Sequence, residues 1–492
     1  MKRFAANHSV LSIAGQPAQG LVALGISVGA GLLAVLLPAA LSGNSKFALI
    51  LGVVGVLIAA TPTIARLRNH ALDAAGLYAF ATAAELGLVS LAWLDSPVSP
   101  GPGLGRDEIT AALVLVILGI AAFGIGARLL GPATPVRRLR LLPAASASLG
   151  ALSVAYIVSL AGVSLGLALG VLGYIANADA TNQLLAFGQT FNLLANLGNL
   201  VVLATALTYF ASGNTNLRTL LVVSISIQVI VGFVIGFKAT ALEPLAYTAL
   251  AYLVTKGRFP WRFTFAAVAV TLVLLAPLNL AYRGTLRNTS GVSTGAAVNS
   301  SVGTLPHMSV FDALESSYNE FLHRYRLIDS IALIETLTPT RFPYGSGTDY
   351  ILLPAVILIP RALWPDKPQQ TEGGEFSQTY WNIPSVIRTA TPLTMIGDLY
   401  RNFNLLGIAI GMTLWGVLLA GWTALYRRYQ SPRWHFVYIV SAVLVFTSVE
   451  GVLPSVCSIA AKTLGFAALV AWFLLPGTNS QPGYRQLLGS GG

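Results

Sequence analysis

Residues 109–130 read ITAALVLVILGIAAFGIGARLL, and this run decides the solvent in which the chain folds. About 20 apolar residues cross the roughly 30 Å of hydrocarbon in a bilayer, so the stretch is long enough to span. Comparable runs occupy 21–41, 46–65, 72–94, 142–174, 184–211, 218–237, 240–255, 262–281, 401–425, 434–452 and 456–475, which brings the expected total to about twelve spans. The run over 142–174 is too long for one upright helix, and its Ser, Ala and Gly content predicts tilt, a kink or a re-entrant piece. The fold class expected is therefore an all-α polytopic membrane protein.

Composition points the same way. The chain is 55% hydrophobic and 10% charged, against about 25% charged in a soluble domain, and its mean hydropathy is +0.72. Cys457 is the single cysteine and lies in an apolar run, which excludes a disulfide framework. Five scattered histidines (His8, His70, His307, His323, His435) form no metal-ligand cluster, although carboxylates alone could hold Mg²⁺. No cofactor is expected.

The net charge of +11 resembles a nucleic-acid signal, but the basic residues lie mostly in short loops between apolar segments. They read as topology. With Lys2 and Arg3 inside, the loops carrying Arg66 and Arg68, Arg137, Arg138 and Arg140, Arg218, Lys256 and Arg258, and Arg427, Arg428 and Arg433 all fall on the cytoplasmic face. The N-terminal segment lacks the ordered parts of a cleaved signal and is expected to remain in the mature chain. The layout is a helix bundle over 1–281, a large extracytoplasmic segment over 282–400, and C-terminal helices with a cytoplasmic tail over 401–492.

The outer segment holds ten acidic and eight basic residues, so charge gathers there without favouring anions in bulk. Any anion site has to come from local geometry. Over 309–338, Phe311, Leu314, Tyr318, Phe321, Tyr325 and Ile328 recur at helical spacing, and Ser309 with Asp312 resembles an acidic capping box. This predicts an amphipathic helix whose polar strip carries Glu315, Asn319, His323, Arg326 and Ser330. That strip is either a solvated face or a catalytic and phosphate-binding one.

After the turn-rich passage 341–347, the apolar run 350–363 is broken by Pro354 and Pro360 and is too short to span, which predicts a re-entrant or interfacial segment. At its exit stands Pro360-Arg361-Ala362-Leu363-Trp364-Pro365-Asp366-Lys367-Pro368. Two cations, a Trp and three prolines suit a rigid anion site at headgroup depth, and an interfacial Trp with snorkelling cations would look the same. Lys238 and Glu243 flank the turn between the seventh and eighth spans, where they either pair or face a cavity under the outer segment. Arg283 and Arg287 follow the ninth span.

Taken together, Gly236-Phe237-Lys238 with Glu243, Tyr282-Arg283, Arg324 to Asp329, Pro360-Arg361 with Trp364 to Pro368, and Gly397-Asp398-Leu399-Tyr400 with Asn402 resemble bacterial oligosaccharide repeat unit polymerases of the Wzy, or O-antigen polymerase, type. The resemblance implies a GT-C-like membrane glycosyltransferase of the bacterial cytoplasmic membrane, acting at its outer face on undecaprenyl-pyrophosphate-linked donor and acceptor, alongside a chain-length regulator and a flippase. In that reaction a sugar hydroxyl attacks an anomeric carbon and lipid pyrophosphate departs. Arg283, Arg326 and Arg361 with Lys238 and Lys367 are candidates to neutralise the leaving charge. Glu243, Asp329 and His323 lead the candidates for the base, ahead of Glu375 and Asp398. Tyr325, Trp364 and Tyr400 are candidates for sugar stacking, with Tyr344, Tyr380 and Trp381 beside them.

Two absences narrow the field. The sequence has neither a G-x-x-x-x-G-K-[ST] phosphate loop nor an Asp-x-Asp pair. An O-antigen ligase shares the donor chemistry and stays open as an alternative. A lipid-linked oligosaccharide flippase or other secondary transporter also stays open. Its support is the polar stripe Gln189, Asn192, Asn196 and Asn199 inside the sixth span, although no internal repeat accompanies it.

Overall fold

The computed structural model of the chain describes residues 45–69, 71–94, 103–130, 147–172, 185–236, 238–288, 294–304, 308–359, 364, 372–384, 390–428 and 431–475. Among these residues the structure is helical and no strand occurs. The helices are α1 (Ser45–Ile64), α2 (Ala74–Thr82), α3 (Arg106–Leu129), α4 (Leu149–Ala168), α5 (Leu185–Ser212), α6 (Thr215–Ile235), α7 (Lys238–Lys256), α8 (Trp261–Val270) and α9 (Ala276–Asn288). They continue as α10 (Thr294–Thr304), α11 (Val310–Tyr325), α12 (Ile328–Leu337), α13 (Thr348–Leu358), α14 (Glu372–Thr379), α15 (Met395–Arg428), α16 (Pro432–Thr447) and α17 (Leu453–Leu474).

Ten helical segments of the described residues are long and apolar enough to cross a membrane, and the chain is an all-α, multi-pass membrane protein. They coincide with ten of the twelve expected spans. The span expected over 21–41 lies outside the described residues. The one expected over 240–255 falls within α7, where Lys238, Glu243 and Lys256 dilute an otherwise apolar helix, so it is not among the ten. It nonetheless packs along α5 and α6. Gly236, at φ 84°, turns the chain from α6 into α7. A side chain on Gly232 would meet the Ala241 backbone nitrogen at 2.4 Å, so the two helices touch backbone to backbone.

Within the run over 142–174 the described residues form one helix, α4, of 20 residues, which Ser148 caps by accepting from the Ala151 N–H and which stops at Ala168. Two expectations need correction. The single helix expected over 309–338 is two. The Ser309–Asp312 capping box does form, with Ser309 Oγ accepting from the Asp312 N–H at 3.1 Å and Asp312 Oδ2 accepting from the Ser309 N–H at 3.2 Å. The helix then breaks at Arg326–Leu327. Before the break α11 is amphipathic and turns Phe311 and Tyr318 outward. After it, α12 buries Ile328, Ile331, Ala332, Leu333 and Ile334 against α3 and α15. A straight helix cannot do both. The continuous polar strip from Glu315 to Ser330 is consequently absent: Arg326 lies past the end of α11 and Ser330 is buried.

The apolar run that was too short to span forms α13, whose 11 residues reach only about 16 Å at 1.5 Å each, and it rests on α17. The central helix is α3, the most buried of the ten spans. It crosses α15 where a Cβ on Gly126 would lie 1.9 Å from the Thr413 carbonyl oxygen and one on Gly416 would lie 2.2 Å from that of Phe123. Small residues allow the backbones to touch, and dispersion across such contacts is what holds helices together in lipid. A second core joins α4, α5, α6 and α7 to α16 and α17.

Candidate functional site

The stretch between α9 and α15 folds onto the first turn of α15. Thr394, at φ 64°, accepts the Gly397 N–H on its Oγ1 at 3.1 Å and so starts the helix. One turn on, the buried carboxylate of Asp398 is held from three sides. Tyr350 of α13 donates its hydroxyl to Oδ2, Arg401 Nη2 lies 2.8 Å from Oδ1, and Asn402 Nδ2 donates to Oδ1 at 3.1 Å. The turn-rich loop is fastened beside it by the Gly345 N–H on the Arg401 carbonyl at 3.0 Å. Tyr344 meets Tyr400, and Tyr350 meets Phe403, edge to face. Burial, reinforced by the neighbouring Asp398 charge, pushes the Tyr350 phenol far above its ordinary range. Tyr350 is therefore a donor fixed on this carboxylate.

A cavity of about 560 Å³ opens between the start of α14 and helices α15, α16 and α17. Its walls are apolar, with Trp415, Leu418, Leu419, Trp422, Val445 and Leu464 among them, and its polar groups include Glu372, Glu450, Ser455 and Thr391. Thr391 is tied to the start of α14 through its N–H on the Gly373 carbonyl and on Ser377 Oγ. Glu372 faces Ser455 Oγ at 3.4 Å. Burial raises its carboxyl above the usual range; its own backbone N–H opposes the shift, while the Asp349 and Asp398 carboxylates add to it. A half-buried acid with a raised pKa at the edge of an amphipathic recess has the makings of a proton acceptor or donor.

A second polar node lies under α12. Trp93 Nε1 donates to Asp329 Oδ1 at 2.8 Å, Arg326 Nη2 lies 3.0 Å from Oδ2, and the Arg326 guanidinium stacks 4.6 Å over the Trp93 ring. Both carboxylate oxygens are occupied and the pair is buried. Arg106, at the start of α3, donates to the carbonyls of Trp93 and Leu94 and so pins the same corner.

The residues expected to share one site take these partners. Asp329 and Arg326 form the node under α12, and Tyr400 belongs with Asp398 on α15. Glu243 lies on α7, where Oε2 accepts from Asn199 Nδ2 of α5 at 2.7 Å. This gives one member of the polar stripe a partner and gives Glu243 a contact other than the Lys238 pairing considered from the sequence. Arg283 follows Tyr282, whose hydroxyl donates to the Val234 carbonyl of α6 at 2.8 Å. For Lys238, His323 and Tyr325 the helical backbone alone is described; Trp364 is half-buried; Arg361 and Lys367 lie outside the described residues. Among the described residues no three His, Cys, Asp or Glu side chains are grouped to hold a metal.

Sequence reasoning missed Trp93, Tyr350, Arg401 and Glu372. Arg401 was within reach, because it follows Asp398 by three residues on a helix. Trp93 was not, since 236 positions separate it from Asp329. Comparison with family models, with curated proteins and with solved structures finds no match for this chain.

Proposed function

We propose that this protein is a membrane glycosyltransferase that polymerises undecaprenyl-pyrophosphate-linked oligosaccharide repeat units at the outer face of the bacterial cytoplasmic membrane. The observation that carries the reading is the recess between α15, α16 and α17, apolar along its walls and edged by Glu372, Glu450, Ser455 and Thr391 next to the folded outer segment. A lipid-linked sugar has the same division: a prenyl chain for the apolar wall and hydroxyls for the polar groups.

Glu372 suits the role of base. It takes the proton from the attacking sugar hydroxyl as the new bond to the anomeric carbon forms and the bond to lipid pyrophosphate breaks. The carboxylates at the recess have the wrong sign for pyrophosphate, so stabilisation of the leaving group falls to cations of the outer segment, with Arg283 and Arg361 the first to replace. The polymerase resemblance extends the proposal to a GT-C-like arrangement working with a chain-length regulator and a flippase. A ligase would use the same donor chemistry. A transporter is the second reading, and the Glu243–Asn199 contact between two packed helices is what favours it.

The deciding experiment is deletion of the gene in the source organism, followed by the length distribution of its lipid-linked glycans. Single repeat units accumulating on the outer face with the polymer ladder lost support polymerisation. Long lipid-linked polymers indicate a ligase, and single units trapped on the inner face indicate a flippase.

A further inference from the structure

At the turn from α7 into α8 a second cavity of about 660 Å³ opens, and its chemistry is the opposite of the first. Phe210, Tyr252, Phe259 and Trp261 give it aromatic walls, and Arg258 and Arg262 give it two cations with no lining carboxylate. Thr248, one turn before Tyr252 on α7, also lines it, so the cleft follows the last turns of α7 back from the two arginines. Arg258 is oriented by donating from Nε to the Tyr252 hydroxyl at 3.1 Å, and Tyr252 is braced edge to face on Phe210. Trp261 and Phe259 pack 4.6 Å apart between ring centres. Arg262 is exposed.

The helix that leaves this cleft is equally informative. No residue of α8 is buried, Trp261 and Phe265 are 63% and 69% exposed, and the span beginning at Trp261 is the least buried of the ten. An apolar helix so loosely covered by protein is covered by lipid. A cleft at its foot with two guanidinium groups, an aromatic belt and an apolar interior is complementary to a molecule with an anionic phosphate head and hydrocarbon tails. Lys256 adds charge two residues before Arg258.

We infer that the α7–α8 cleft is a binding site for an anionic phospholipid, with its phosphate between Arg258 and Arg262 and an acyl chain running toward Thr248. The site is separate from the Glu372 recess and is independent of the reaction proposed for it. The basic loop places it at the cytoplasmic leaflet.

The test is native mass spectrometry of the purified full chain titrated with phosphatidylglycerol and, separately, phosphatidylcholine. Preferential retention of phosphatidylglycerol is expected. R258Q/R262Q should weaken it by roughly thirtyfold, at about 1 kcal/mol for each basic residue near a membrane surface. R218Q, which removes a cation from the first turn of α6, should not. R262Q alone alters an exposed side chain, folds irrespective of the Arg258–Tyr252 contact, and should lose part of the preference. Equal retention of the two lipids overturns the inference, as does an equal loss in R218Q. Displacement of phosphatidylglycerol by glycerol phosphate also overturns it, because the cleft would then take a soluble phosphate compound.

Discussion

Tyr350 and Asp398, 48 residues apart, meet hydroxyl to carboxylate, and this contact fastens α13 to the first turn of α15. The phenol is partly buried and donates directly to Oδ2. Tyr350→Phe leaves Oδ2 of a buried carboxylate without its donor, and the expected loss is about 1–3 kcal/mol. Asp398→Ala should cost more, because it leaves both the phenol and Arg401 without their acceptor. Thermal unfolding in detergent checks the order; a Tyr350→Phe protein as stable as the parent would show that the contact does not fasten the segment.

The Trp93–Asp329–Arg326 node makes a different prediction. Removing one charge of a buried pair is worse than removing both. Asp329→Ala should cost about 3–5 kcal/mol by leaving Arg326 uncompensated, whereas Asp329→Leu combined with Arg326→Met should recover a large part of that loss. If the double replacement is as damaged as Asp329→Ala in the same unfolding measurement while Trp93→Phe is harmless, the node is not a structural ion pair.

These two nodes show what the sequence makes legible and what it does not. The spans were readable because lipid demands about 20 apolar residues in a row, a signal contained in each segment by itself. The capping box at Ser309 was readable for the same local reason. The break at Arg326 was not, because the gain from turning Arg326 onto Trp93 and Asp329 comes from a residue more than two hundred positions away. Glu372 was passed over in favour of Glu375, three residues on. Only the placement of α14, with Glu372 facing Ser455 of α17, decides which of the two carboxylates lines the recess.

The α3–α15 crossing should tolerate no side chain at its glycines. At Gly126 and Gly416 the obstructing atoms are backbone carbonyl oxygens, which cannot rotate away. Gly126→Ala and Gly416→Ala should each cost about 1–3 kcal/mol or more through overpacking, seen as a lowered melting temperature or loss of folded protein on size exclusion. Gly150→Ala is the contrast: nothing lies within 4 Å of its Cβ position in α4, so it should be neutral or stabilise by up to about 1 kcal/mol. Equal behaviour of all three would mean that the two backbones are not in contact.

Glu372 gives the prediction that links stability to chemistry. Its carboxyl is raised in the folded protein, chiefly by burial, so the folded state holds this proton to a higher pH than the unfolded chain does. The contribution of Glu372 to stability is therefore fully present below the unfolded carboxyl pKa and is lost as pH rises through the folded value. Glu372→Gln, which cannot ionise, should flatten that part of the stability profile and leave the protein at least as stable as the parent at neutral pH. Catalysis should respond in the opposite sense. A base acts only when deprotonated, so transfer should rise with pH through the folded Glu372 pKa, and Glu372→Gln should abolish both the rise and most of the rate. Measuring polymer formation and unfolding across the same pH series separates the two roles. A Glu372→Gln protein that keeps the parent rate profile while losing the pH dependence of stability would remove Glu372 from the reaction and leave it as a buried acid on the cavity wall.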